Sequence, residues 1–140
     1  MAATFTFPVR VYWEDTDAGG VVYYAGYLRF MERARSEWLR HLGIDQALLL
    51  RNERLQFAVV EAQIRYHRPA RFDDLLSVSV SITAAGGASI VMAQEVRRGA
   101  TGGELLASAT IRAACLDSDS LKPRPLPATL AAQVQGVKPI

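Results

Sequence analysis

Between Tyr27 and Leu42 the apolar residues fall at positions 27, 30, 31, 34, 38 and 42, with Arg29, Glu32, Arg33, Ser36, Glu37 and Arg40 mostly on the other side. That spacing is one face of an amphipathic helix. Gly43 is its expected stop, and Arg40 and His41 are placed against the negative end of the helix dipole. Elsewhere the period is two. Phe7, Val9, Val11 and Trp13 alternate with Pro8, Arg10 and Tyr12, predicting a half-buried strand that the Asp-Ala-Gly-Gly run at 17–20 breaks. A short second helix is expected from Asp45 as N-cap, carrying Leu48 and Leu49.

After Asn52 the alternation continues to the last third of the chain. Ala58, Val60, Ala62, Ile64 and Tyr66 form one apolar row, and Leu76, Val78, Val80 and Ile82 form a second against a wet face of serines and threonine. Gly86-Gly87 predicts a hairpin turn into a strand from Ile90 to Arg97; Gly99 to Gly103 turns again before Leu105, Ala107, Ala109, Ile111, Ala113 and Cys115. The proline-rich Lys122–Pro127 reads as an extended closing segment. Strand, long helix and four strands joined by turns predict a single α+β domain over residues 1–140, with an antiparallel sheet curled around one helix. The Ala58–Tyr66 strand is a candidate sheet edge, blunted by Glu61, Arg65 and His67 or paired with a second copy across a two-fold axis.

Composition narrows the function. The 140 residues are 50% hydrophobic and 21% charged with a net charge of +2, which suits one globular core and gives no basic run for nucleic acid. No stretch is apolar for long enough to span a membrane, and Met1 to Arg10 lacks the pattern of a signal peptide, so a cytoplasmic location is expected. The single cysteine, Cys115, forms no internal disulfide, and two histidines with no neighbouring cysteine cluster leave no metal set and no Ser or Cys triad.

The chemistry concentrates between Glu14 and Tyr27, where Glu14, Asp15 and Asp17 precede Gly19-Gly20 and an apolar step into the helix. Asp17 can attack a thioester or ester carbonyl, or take a proton from an attacking water; an isolated turn aspartate bonds its own backbone instead. Glu14 and Asp15 read either as solvated or as tuning Asp17 by like-charge repulsion. No Ser, Thr, Asp or Asn stands at the start of the helix to cap it. Free N–H groups there, that of Tyr24 in particular, can receive a carbonyl oxygen as it becomes an oxyanion, unless water or a neighbouring carbonyl satisfies them. Tyr23 and Tyr24 are candidates to line an acyl pocket or to belong to the core, and Arg65, His67, Arg68 and Arg71 are the densest basic cluster.

The run Arg10-Val-Tyr-Trp-Glu-Asp-Thr-Asp-Ala-Gly-Gly-Val-Val-Tyr-Tyr-Ala-Gly-Tyr27, continuing through Glu32–Leu39, resembles the Tol-Pal-associated acyl-CoA thioesterases of the hotdog fold, relatives of 4-hydroxybenzoyl-CoA thioesterase. Tyr66, Pro69-Ala-Arg71, Asp73-Asp74 and Lys122–Pro127 extend the resemblance over nearly the whole chain. It implies a five-stranded antiparallel sheet wrapped around the long helix, a homodimer or dimer of dimers (a homotetramer), and an active site at the dimer interface. It further implies Asp17 as nucleophile or general base and the Tyr24 N–H polarising the thioester of an acyl-CoA substrate, without a cofactor. A non-catalytic protein of the same fold that binds acyl chains or acyl carrier protein is the competing class. Two departures stand out. Many of the Tol-Pal-associated group carry histidine where this chain has Tyr24, and the hairpin that is basic in the 4-hydroxybenzoyl type is Ala84-Ala-Gly-Gly-Ala88 here. Phosphate contacts are therefore expected from Arg65, Arg68, Arg71, Lys122 and Arg124.

Overall fold

A computed structural model describes residues 4–140, so part of the N-terminal stretch considered above lies outside the described residues. Strand β1 (Phe5–Arg10) leads through a loop to the helix α1 (Gly26–His41). A short helical segment α2 (Gln46–Leu48) continues as a π-turn over Leu49–Glu53, and the Asp45 side chain caps it by accepting the Leu48 N–H at 3.1 Å. Four strands follow: β2 (Leu55–Tyr66), β3 (Leu75–Ala85), β4 (Ser89–Arg98) and β5 (Leu105–Asp117). They are joined to β1 in the antiparallel order β1-β3-β4-β5-β2.

The helix ends as its sequence dictates. Gly43 adopts φ +84°, the left-handed region, and the Ile44 N–H reaches back to the Leu39 carbonyl at 2.9 Å. Its apolar stripe of Tyr27, Phe30, Met31, Ala34, Trp38 and Leu39 is buried against the inward row of the sheet, Leu76, Val78 and Val80 of β3 and Ile90, Met92 and Val96 of β4. α1 packs chiefly on β3 and β1 and more lightly on β4. A cavity of about 200 Å³ remains beside it, walled by Trp38, Leu39, Phe57, Ile90, Met92 and Ala113.

Four features depart from the pattern read in the sequence. The first strand stops at Arg10 rather than reaching Trp13, because the chain tightens there into a 3-10 turn, Trp13–Asp15. On β2 the alternation predicts one covered face, yet Val59 and Val60 are 49% and 57% exposed and residues 61–63 are open as well. A register shift between Val59 and Glu61 inserts an extra residue, and β2 is the sheet edge, away from the half that α1 covers. The closing segment is extended as expected, with Pro123 bridging Leu116, but it continues into α3 (Ala128–Gln133) and a two-residue β6 (Lys138–Pro139) that pairs parallel to the end of β3. None of the described helices is long and apolar enough to cross a membrane.

The fourth feature is Gln94, a polar residue on the inward row of β4 and only 1% exposed. Its amide donates to the carbonyls of Met31 at 3.1 Å and Ser79 at 3.2 Å, and its oxygen accepts from Arg35 Nη1 at 2.9 Å. It thereby ties the centre of α1 to two strands. Burial lowers the Arg35 pKa from its ordinary value, with Glu32 opposing. Replacing Gln94 by Leu leaves that guanidinium and two carbonyls short of partners, an expected loss of about 2–3 kcal/mol in urea unfolding. The double variant Gln94→Leu/Arg35→Met should recover part of that loss, since it also removes the stranded charge.

Candidate active site

Beyond β1 the chain remains paired for one more residue: the Val11 N–H donates to Asp74 O and the Asp73 N–H to Val11 O, both at 2.9 Å. It then turns because of Asp15. This carboxylate, 3% exposed, accepts the Tyr12 N–H on Oδ2 at 2.8 Å, while the Asp15 main-chain oxygen accepts the Tyr23 N–H at 3.0 Å. Asp15 is thus not solvated; it closes the base of the loop. Glu14 is exposed.

Above that base, Thr16 pairs with Val22 and the Asp17 N–H donates to Val21 O at 2.9 Å, giving a short antiparallel ladder with Asp17 at its tip. The Asp17 side chain is exposed, and its Oδ1 accepts the Gly19 N–H at 2.8 Å. That is the ordinary turn role of an aspartate. It also fixes the carboxylate, and Oδ2 has no hydrogen-bond partner among the described residues. Gly20, at φ +77°, supplies the left-handed residue that brings the chain back.

The returning strand is held to residues 70–72: the Val22 N–H donates to Ala70 O at 2.9 Å, Val21 bridges Arg71, and the Phe72 N–H donates to Gly20 O at 3.2 Å. The Trp13 and Phe72 rings stack with centroids 3.5 Å apart. α1 then begins behind Ala25 with no side-chain cap. The Tyr23 carbonyl accepts the Gly26 N–H at 2.7 Å, and because every peptide bond is trans, the Tyr24 N–H on the same peptide unit points the opposite way. No acceptor for it occurs among the described residues. The Tyr24 carbonyl, on the next peptide, accepts the Tyr66 hydroxyl at 2.8 Å. Tyr24, Tyr66, His67 and Arg68 line a cleft of about 290 Å³ with Val22, Tyr27 and Pro69.

Of the residues singled out in the sequence, Tyr24, His67 and Arg68 therefore share one cleft, and Asp17 is not among its lining residues. Tyr23 is exposed and touches the Tyr24 ring at 4.7 Å between centroids, outside the cleft lining. Arg65 lies on the outer face of β2 near Ser108 and Thr110, and Arg71 is exposed beside the loop. Lys122 and Arg124 are elsewhere. The β2–β5 register sets Tyr66 against Ala107 and Leu55 against Asp117, so the two ends of β2 are separated by about 35 Å. Arg124, at the Leu55 end, donates to Glu53 O at 2.6 Å and lies 3.6 Å from Asp117 Oδ2. Within one chain the basic candidates do not converge.

Two contacts escape sequence reading. His67 Nε2 lies 2.8 Å from Ser108 Oγ, a pair 41 positions apart that only the β2–β5 register creates. No carboxylate joins them in an ion pair among the described residues. Cys115 is buried with Sγ 3.5 Å from Pro125 O, and burial raises its thiol pKa, the reverse of what an attacking thiolate requires.

Comparison with known proteins agrees with this layout. Residues 11–134 match the model of the thioesterase-like superfamily. The chain is 44% identical over 134 residues to the acyl-CoA thioesterase YbgC of Haemophilus influenzae, covering 96% of each chain. Among solved structures, a probable thioesterase from Bartonella henselae superposes with a TM-score of 0.82 at 40% identity, over 89% of this chain and 100% of that one. A 1,4-dihydroxy-2-naphthoyl-CoA thioesterase from Synechocystis superposes with a TM-score of 0.86 at 28% identity, over 96% and 97% of the two chains. An uncapped helix start preceded by a carboxylate loop, on an antiparallel sheet packed against one long helix, thus sits on a hotdog scaffold, and the chain belongs to the thioesterase-like superfamily and, within it, to the YbgC family of acyl-CoA thioester hydrolases.

Proposed function

We propose that the protein hydrolyses acyl-CoA thioesters to a free acid and CoA, with Asp17 driving the attack and the Tyr24 backbone N–H holding the thioester carbonyl. The observation that carries this reading is the outward, unpartnered Tyr24 N–H at the uncapped head of α1. Two ladder residues separate the level of Asp17 from that of Tyr23, roughly 7 Å of strand. An N–H donor on a carbonyl oxygen and an attacking oxygen approaching the carbonyl carbon from the side span about 5–6 Å, within what the loop can bridge.

Two routes give the same products. As general base, Asp17 takes a proton from water as the water oxygen bonds to the carbonyl carbon; the C–S bond then breaks and the sulfur leaves, receiving that proton. As nucleophile, Asp17 bonds to the carbonyl carbon itself, expels the thiolate and forms an anhydride; water then opens it to the free acid and the Asp17 carboxylate, and the second proton of that water goes to the thiolate. In both, negative charge on the carbonyl oxygen grows against the Tyr24 N–H, where a preorganised donor stabilises it most. Tyr24 serves through its main chain, so the exchange of histidine for tyrosine leaves this role untouched. Arg68, in the same cleft, is the phosphate contact that a chain supplies to its own site; Lys122 and Arg124 lie at the far end of β2 and would reach the cleft only from a second copy.

The edge strand supports an assembly in which β2 pairs with β2 of a second copy, as a dimer or a dimer of dimers, with the site at the interface. Twelve residues of open edge with exposed Val59 and Val60 are a template for another strand. Antiparallel two-fold pairing would bring the Leu55 end of one copy beside the Tyr66 end of the other. The lone buried cysteine is compatible with a reducing, cytoplasmic location.

Asp17→Asn should lower kcat on acyl-CoA substrates by about 10²- to 10⁴-fold while CoA binding by calorimetry and the oligomeric state stay unchanged. Near wild-type turnover in that variant would remove Asp17 from the chemistry. Val60→Lys should convert the assembly to folded monomer in light scattering and abolish turnover; a monomer as active as the parent would show that one chain suffices.

A further inference from the structure

The geometry points to Tyr66 as a positioning residue that holds the Tyr24 peptide in its working orientation, acting through the Tyr24 carbonyl rather than on the substrate. The inference rests on the proposed use of the Tyr24 N–H and goes one step behind it. A main-chain donor in a turn is useful only if the two peptide units that meet at its Cα are both fixed. The unit before Tyr24 is fixed by the Gly26 N–H on the Tyr23 carbonyl at 2.7 Å. The unit after it has no helical partner this early in α1, and its carbonyl is bound instead by the Tyr66 hydroxyl at 2.8 Å. Removing that hydroxyl leaves the second unit to water and lets the turn rotate about Tyr24.

Tyr66 is itself held for this task. Its ring meets the Tyr27 ring edge-on, 5.4 Å between centroids. Tyr27 is 3% exposed, and its hydroxyl accepts the Ala70 N–H at 3.0 Å; the Ala70 carbonyl in turn accepts the Val22 N–H at 2.9 Å. The contacts therefore link Val22 through Ala70, Tyr27 and Tyr66 to Tyr24, two residues beyond the Asp17 ladder. Tyr66 is also the last residue of β2, so the open edge strand ends on the group that orients the electrophile site. Phenylalanine at this position keeps the ring packing and deletes only the hydrogen bond to Tyr24.

The test is Tyr66→Phe alone and in an Asp17→Asn background, where a bound acyl-CoA stays uncleaved and its thioester carbonyl stretch can be read by difference infrared spectroscopy. Tyr66→Phe should lower kcat roughly tenfold, the scale of one net hydrogen bond, with KM within about twofold and Tm unchanged. In Asp17→Asn the carbonyl stretch should lie below its solution frequency, and in Asp17→Asn/Tyr66→Phe it should return most of the way. An unchanged stretch in the double variant, or a rise in KM with kcat intact, would overturn the positioning role. A stretch at the solution frequency in Asp17→Asn itself would instead overturn the use of the Tyr24 N–H.

Discussion

Asp15 places its side chain and its main chain on opposite strands of the same loop. The buried carboxylate takes the Tyr12 N–H, and the carbonyl one peptide later takes the Tyr23 N–H. A carboxylate at 3% exposure is tolerated only where hydrogen bonds replace water, so this short sequence has few other ways to fold. From that constraint the rest follows in order: β1 ends, the ladder from Thr16 to Val22 closes, Asp17 is carried to the tip, and Tyr24 emerges at the base just ahead of α1.

The second organising fact is that α1 covers only part of the sheet. It packs over β1, β3 and β4, and β2 is left as an edge with little apolar cover on its central residues. The same strand carries Tyr66 and leads into His67 and Arg68, which line the cleft at the helix head. Surface available for pairing and surface available for substrate are consequently neighbours along one strand. In a symmetric pair, a change of strand register at the edge would be felt at the cleft within a few residues.

Much of this was legible in the residue pattern. The helix stripe from Tyr27, the row of β3, that of β5 from Ala107 onward, the Gly43 stop and the Asp45 cap are local signals, and each appears where its period or turn chemistry places it; Leu105 gives up its inward place to Leu106. What was hidden depends on distant partners. The bulge at Val59–Glu61 changes the phase of β2, so that Phe57 and Val59 rather than Ala58 and Val60 continue the row of Ala62, Ile64 and Tyr66; His67 meets Ser108 only through strand register, and the bonds of Gln94 to Arg35 and the Met31 carbonyl join residues about 60 positions apart. The six residues of α3 have only Leu130 as a buried anchor, too little for a periodic signal. At the site, a missing cap residue marked the Tyr24 N–H, but nothing in the sequence showed Asp15 to be structural or linked Tyr66 to Tyr24.

The donor at the head of α1 is a peptide group, and a peptide group is the one functional element that point mutation does not replace unless proline is introduced. Side chains at positions 23 and 24 are exposed and carry none of the hydrogen bonds that orient it. Their exchange would leave the orientation of that peptide in place, and at position 24 it would reshape the cleft wall. Under the proposed mechanism, a family built in this way would diversify by its substrates and keep its reaction, because a backbone donor has no codon of its own.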